Sequence, residues 1–355
     1  MKRCLLALCL LFFVSAALPA APRNVILIVT DDQGQDAGCY GNKVIQTPNM
    51  DRLAADGTLF KYAYCATASC SASRSVILTG LYNHANAHYG HQHSYHHFAS
   101  YDNVKSLPVL MGQAGYRTAR IGKYHVAPEK VYQFDTELKS AAGHRNPVAM
   151  ADNCKEFINQ KSDKPFFLYF CTSDPHRGGG TVDDSPYKPD RFGNKPGGYP
   201  GVKEVVYDPK EVIVPPFLPD TPACRAELAQ YYQSVSRVDQ GLGRLLQILK
   251  DAGHYDDTLI VYISDHGIAM QGAKTTTYDP GLRSPCIVRN PYEKKRGVVT
   301  DAMVSWVDIT PTILDFAGGL GKNQFQGRSF LPILATPKTK GWDEIFASHT
   351  FHEIT

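Results

Sequence analysis

Asn24-Val25-Ile26-Leu27-Ile28-Val29-Thr30, running directly into Asp31-Asp32, decides the fold. A continuous β-branched run without polar alternation is a strand buried on both faces, as in a parallel sheet covered by helices. Lys164-Pro165-Phe166-Phe167-Leu168-Tyr169-Phe170 and Thr258-Leu259-Ile260-Val261-Tyr262-Ile263-Ser264 repeat the pattern. The first is followed by Ser173-Asp174-Pro175-His176-Arg177 and the second by Asp265-His266-Gly267. Ligands of open α/β sheets sit beyond the carboxyl ends of the strands. Three strands delivering acids and histidines at that edge therefore predict a reaction site there, not three unrelated polar turns. The fold class is α/β.

Between these strands the helical patterning is clear. Ala223 to about Ala252 carries Leu228, Tyr231, Tyr232, Val235, Val238, Leu242, Leu245, Leu246 and Leu249 at helical spacing and stops at Gly253, a covering helix. Asp239 within it reads as a packing or capping charge. Thr47 to Ala54 reads as a helix entered at Pro48 or Asn49. Gly178 to about Pro222 is rich in Gly, Pro and Asp and reads as a long surface excursion shaping a pocket rim.

The chain has 355 residues, 43% of them hydrophobic, enough for one large domain or a domain with a smaller partner. A formal net charge of only +3 gives no basis for nucleic-acid binding, so any attraction for anions is local. Residues 1–20 have the layout of a secretory leader: Lys2 and Arg3, an apolar Leu5–Val14, then alanines for cleavage. The run is too short for a stable membrane anchor. Seven cysteines follow it, with no Cys-x-x-Cys pair, and an odd number leaves at least one unpaired; Cys70 is the expected one. No Asn-x-Ser/Thr sequon occurs, which favours a bacterial periplasm or cell exterior over a lysosome.

Cys70-Ser71-Ala72-Ser73-Arg74, continued by Ser75-Val76-Ile77-Leu78-Thr79-Gly80, predicts a helix entered at Ser69 or Cys70 and stopped near Gly80. Cys70 would then lie over free backbone N–H groups, a place that favours an anion or a thiolate. Arg74, one turn on, can address the same anion.

Cys-x-Ala-Ser-Arg followed by Leu-Thr-Gly resembles the signature of the formylglycine-dependent sulfatases. Gly122-Lys123-Tyr124-His125, Asp174-Pro175-His176-Arg177 and Lys274-x-Thr-x-Tyr278 with Arg283-x-Pro285 resemble further motifs of that family. The resemblance implies an alkaline-phosphatase-like fold: a mixed, mostly parallel sheet flanked by helices, spanning residues 22–335. Residues 336–355 would begin a smaller C-terminal domain that is largely absent. It implies that Cys70 is oxidised to formylglycine by a maturation enzyme. The hydrate would accept sulfate on one hydroxyl and expel it through the other, which a serine could not do.

On the same footing, Asp31, Asp32, Cys70, Asp265 and His266 would surround one divalent cation. Hard oxygen donors favour Ca²⁺, with Mg²⁺ possible. Asparagine is common in the family at the place of His266. Arg74, Lys123 and Lys274 would stabilise sulfate oxygens; Lys274 stands where related chains favour arginine. His125 would orient or deprotonate the hydrate and His176 would protonate the leaving atom. Read from alternation alone, Lys123 and His125 should share one side of a strand end.

The histidine-dense stretch His84 to His97 reads as a sugar- or anion-facing loop in preference to a metal tract. His84, His91, Arg283 and Glu353 are the expected substrate-binding rim. Tyr89-Gly90-His91-Gln92, Arg237-Val238-Asp239-Gln240-Gly241 and Ser348-His349-Thr350-Phe351-His352-Glu353 resemble sulfatases that take N-linked sulfate from glucosamine at the ends of heparan or heparin chains. An O-sulfatase, a phosphodiesterase of the same superfamily and a non-catalytic sulfated-glycan-binding protein are the alternatives, and a homodimer is open.

Overall fold

The computed structural model describes residues 23–178, 187–321, 325–336 and 343–352. The expected leader, residues 1–20, and Glu353 lie outside them. Eight strands form one sheet: β1 (Asn24–Thr30), β2 (Thr58–Tyr64), β3 (Arg117–Gly122), β4 (Thr136–Leu138), β5 (Phe166–Cys171), β6 (Thr258–Ser264), β7 (Cys286–Arg289) and β8 (Val298–Ser305). Their order is β4-β3-β5-β1-β6-β7-β2-β8. All neighbours are parallel except at β7, which runs against both β6 and β2. The link from β6 to β7 holds only the four-residue helix Asp279–Leu282, so the chain folds straight back instead of crossing over.

β1 shows why its sequence is unbroken by polar residues. Ile26 and Ile28 enter one core, with Leu228, Val235, Leu242 and Leu249 of the helix Pro222–Asp251. Val25, Leu27 and Val29 enter the other, with Val76 and Ile77 of the helix Cys70–Thr79 and Ile313 of the helix Ile309–Phe316. All seven residues of the strand are buried. Both faces are closed by helices, so alternation would have placed polar groups in a core.

Asp239 is the cap expected of it. Its carboxylate accepts from the backbone N–H groups of Asn49 (3.0 Å) and Met50 (2.7 Å), tying the long helix to the N-terminus of the helix Pro48–Ala55. Within residues 187–221 no helix or strand forms, yet Phe192, Tyr207, Val212 and Leu218 are buried against the core beneath the long helix. The segment is thus pinned to the protein by side chains.

Among the described residues no helix is long and apolar enough to cross a membrane. Among the described residues, the seven cysteines from Cys39 to Cys286 form no disulfide with one another, Cys70 included.

Candidate active site

Register brings the strand exits together. Thr30 pairs with Ser264, Val29 with Cys171 and Gly122 with Cys171, so β1, β6, β5 and β3 release their chains side by side. Asp31, Asp32, Asp265, His266, Lys123 and His176 follow from those four exits within a few residues.

Gly122 is what lets β3 end so close to β5. Its φ is +89°, and a Cβ there would lie 1.8 Å from the carbonyl oxygen of Cys171. The turn sends Lys123 inward, where Nζ meets Asp31 Oδ2 at 2.6 Å. The strand ends at Gly122 and His125 adopts a φ of +57°, so strand alternation does not relate Lys123 and His125 as expected. Both still face one cavity of about 760 Å³, lined among others by Asp31, His91, His176 and His352.

The helix Cys70–Thr79 is stopped at Gly80, in the left-handed region, as the sequence indicates. Ser69 occupies the cap position without capping through its side chain; its Oγ lies 3.2 Å from His352 Nδ1. Cys70 Sγ lies 3.7 Å from Asp32 Oδ1 and 3.3 Å from His266 Nε2. Lys274 Nζ meets both oxygens of Asp32 at 2.9 Å, and His176 Nε2 lies 3.8 Å from Asp32 Oδ2.

Arg74 differs from the expectation that it faces the substrate anion. It is fully buried. Nε donates to Asp265 Oδ2 (3.1 Å), Nη2 to Asp31 Oδ1 (3.2 Å) and Nη1 to the carbonyl of Lys123 (3.1 Å). The guanidinium clamps two acids and the end of β3 together.

The electrostatics follow from burial opposed by charge. Desolvation pushes the carboxyls of Asp31 and Asp32 up, but Lys123 beside the first and Lys274 beside the second hold both well below the ordinary range. Burial lowers the lysines, yet Asp31 and Asp32 outweigh it and both ammonium groups are held charged. His125 is depressed by burial and by Lys123 and Arg74, so it is a neutral imidazole. At His176 the pull of Asp32 upward is overcome by burial with Lys274 and Lys123, and the net shift is downward.

One oxygen from each of Asp31, Asp32 and Asp265 lies within 4.8 Å of the others. Three buried carboxylates converging this closely are the donor set of a hard divalent cation. His266 Nε2, 3.1 Å from Asp32 Oδ1, faces the same point. Counting charges, three acids against Arg74, Lys123 and Lys274 cancel, so an added dication leaves a positive site for an anionic substrate.

Two expected rim residues are elsewhere. The buried side chains of the short helix Asn83–Asn86 are Asn83 and Asn86, which turns His84 outward onto Tyr82, with its Nε2 3.3 Å from Gln326 Nε2. Arg283 donates to the carbonyl of Lys61 at 2.9 Å and covers the Tyr62 ring, because the turn after Leu282 points it away from the cavity. His91 is at the cavity, as expected.

Several cavity residues escaped sequence reasoning. His144 and Arg145 line it with no motif to mark them, whereas His93 and His352 come from the histidine-dense loop and the C-terminal stretch singled out in the sequence without being named as rim residues. Asp174 is buried under His176 and paired with Arg145 Nη1 (2.7 Å) and Arg237 Nε (2.6 Å), an anchor assembled from three distant segments.

Residues 23–319 match the sulfatase family. The chain is 41% identical to human N-sulphoglucosamine sulphohydrolase, over 98% of this chain and 73% of that protein. It is 31% identical to an ulvan-active sulfatase of Formosa agariphila, over 90% of this chain and 59% of that one. Among solved structures, a protein in complex with its substrate D-glucosamine-2-N,6-O-disulfate superposes with a TM-score of 0.70 at 24% identity, over 93% of this chain and 85% of that chain, which speaks to the fold. The chain belongs to the sulfatase family.

Proposed function

We propose that this chain hydrolyses N-linked sulfate from glucosamine at the ends of heparan- or heparin-derived oligosaccharides. The observation that carries the hydrolase reading is the convergence of Cys70, Lys274 and His266 on Asp32, next to Lys123 on Asp31. The preference for N-linked sulfate is supported by the similarity to the human sulphohydrolase.

Asp31, Asp32 and Asp265, with His266, would hold one divalent cation. Ca²⁺ suits these oxygens best and Mg²⁺ is the smaller alternative. Bound there, it supplies positive charge that polarises sulfate oxygens; formylglycine at position 70 supplies a geminal diol able to release sulfate again. Lys123, on Asp31 at the cavity wall, and Lys274, on Asp32, would donate to the sulfate oxygens, where negative charge develops. Arg74 positions Asp31 and Asp265. His125, neutral in the resting site, takes a proton at residue 70. His176 gives one to the leaving nitrogen, its affinity for the proton raised when the anionic substrate adds its charge nearby. A formylglycine-generating enzyme acting on an exported chain is part of this reading.

The test is sulfate release by the matured, full-length protein from N-sulfoglucosamine beside 6-O-sulfated N-acetylglucosamine. Release from the N-sulfated sugar is expected. Release only from the O-sulfated sugar would keep the chemistry and overturn the substrate.

A further inference from the structure

Four histidines from three parts of the chain meet at the cavity wall. His91 Nδ1 lies 3.2 Å from His93 Nε2 and 3.2 Å from His125 Nε2. The His93 and His125 rings stack with centroids 4.7 Å apart and planes within 5°, and His91 is tilted by 57–58° to both. His91 Nε2 in turn meets His352 Nδ1 at 2.9 Å.

A single hydrogen bond accounts for only part of this arrangement. His91 Nδ1 offers one hydrogen or one lone pair, yet it faces two ring nitrogens at the same distance. Among the described residues, buried His125 Nδ1 has no hydrogen-bond partner. Three imidazole nitrogens aimed at one another are instead a ligand set. Zinc–nitrogen bonds of about 2.0–2.1 Å in a tetrahedron place neighbouring nitrogens about 3.3–3.4 Å apart. Both His91 contacts match that edge, and the three nitrogens all lie within 4.8 Å of one another. Two of the three outer nitrogens are also supported, His91 by His352 and His93 by Ser94 Oγ at 2.7 Å.

We propose that His91, His93 and His125 form a second metal site, selective for Zn²⁺, separate from the carboxylate site and open at its fourth position to the cavity. Imidazole donors favour zinc where the carboxylates favour calcium or magnesium, so the two sites sort their ions by ligand softness. Occupancy takes the Nε2 lone pair of His125. Zn²⁺ is therefore a reversible inhibitor; this consequence, unlike the site itself, rests on the hydrolase reading.

The test uses Co²⁺ as a visible probe on the Ca²⁺-loaded full chain, with Zn²⁺ displacing it. One tetrahedral Co²⁺ spectrum without a thiolate charge-transfer band is expected, retained in Cys70→Ser. His93→Ala, on an exposed side chain, should weaken Zn²⁺ by about a hundredfold or more while melting as the parent does; His93→Asn is the second variant if the first is unstable. The proposal is overturned if no tetrahedral spectrum appears, if it survives both His93 variants, or if Cys70→Ser abolishes it. These outcomes are read without turnover, so they stand apart from failure of the hydrolase reading.

Discussion

Lys274 Nζ stands symmetrically on Asp32, 2.9 Å from each carboxylate oxygen, and so occupies the same acid that faces Cys70. The lysine and a bound cation share one carboxylate, and they repel. Lys274→Ala should lower kcat/KM by about 10²–10³-fold through loss of a charged donor to the sulfate. It should tighten Ca²⁺ binding several-fold or leave it unchanged, as calorimetry would show. Weakened Ca²⁺ binding would mean that Lys274 organises the acids instead of addressing the substrate.

Gly122 tests the link between strand exit and chemistry. A side chain there meets the Cys171 carbonyl at a φ no L-residue favours. Gly122→Ala should cost about 2–4 kcal/mol in chemical denaturation and displace Lys123 from Asp31. Activity should fall by more than the unfolded fraction explains. A variant of parental stability and activity would contradict the packing described.

Arg237→Met removes half of the cover on buried Asp174, leaving Arg145, a partly exposed partner. Breaking a buried pair from one side typically costs about 3–5 kcal/mol. Because Asp174 lies two residues before His176, the surviving folded protein should also lose kcat. Equilibrium unfolding and single-turnover kinetics separate the two effects.

His88 gives the fold a pH dependence away from the acids. Burial lowers its pKa to about 4, and its Nε2 accepts from the backbone N–H of Ala127 at 3.3 Å. The unfolded chain takes up the proton near the ordinary value of about 6.5. Stability is therefore complete above pH 6.5 and lost as pH falls towards 4, by up to about 3 kcal/mol from this group. Melting temperatures across that window should fall less steeply in His88→Gln.

Much of this was legible because the fold writes its buried strands plainly. β1, β5 and β6 are apolar on both faces, and their exits are the acids and histidines of the site. β2 and β8 were not legible: Thr-Leu-Phe-Lys-Tyr-Ala-Tyr and Val-Val-Thr-Asp-Ala-Met-Val-Ser mix exposed and buried positions, as suits strands near the sheet edge. Nor was the pairing of Asp174 with Arg145 and Arg237, or the meeting of His91 and His125 with His352, since only tertiary folding relates those segments. His84 and Arg283 show the converse, residue types suited to sugar binding that local turns direct elsewhere.

The most direct measurement is sulfate release from N-sulfoglucosamine by the matured chain and by its Cys70→Ala variant, side by side at equal folded concentration. Release by the parent and none by the variant, with unchanged melting, is the expected result. Turnover retained in Cys70→Ala would contradict a reaction carried on residue 70.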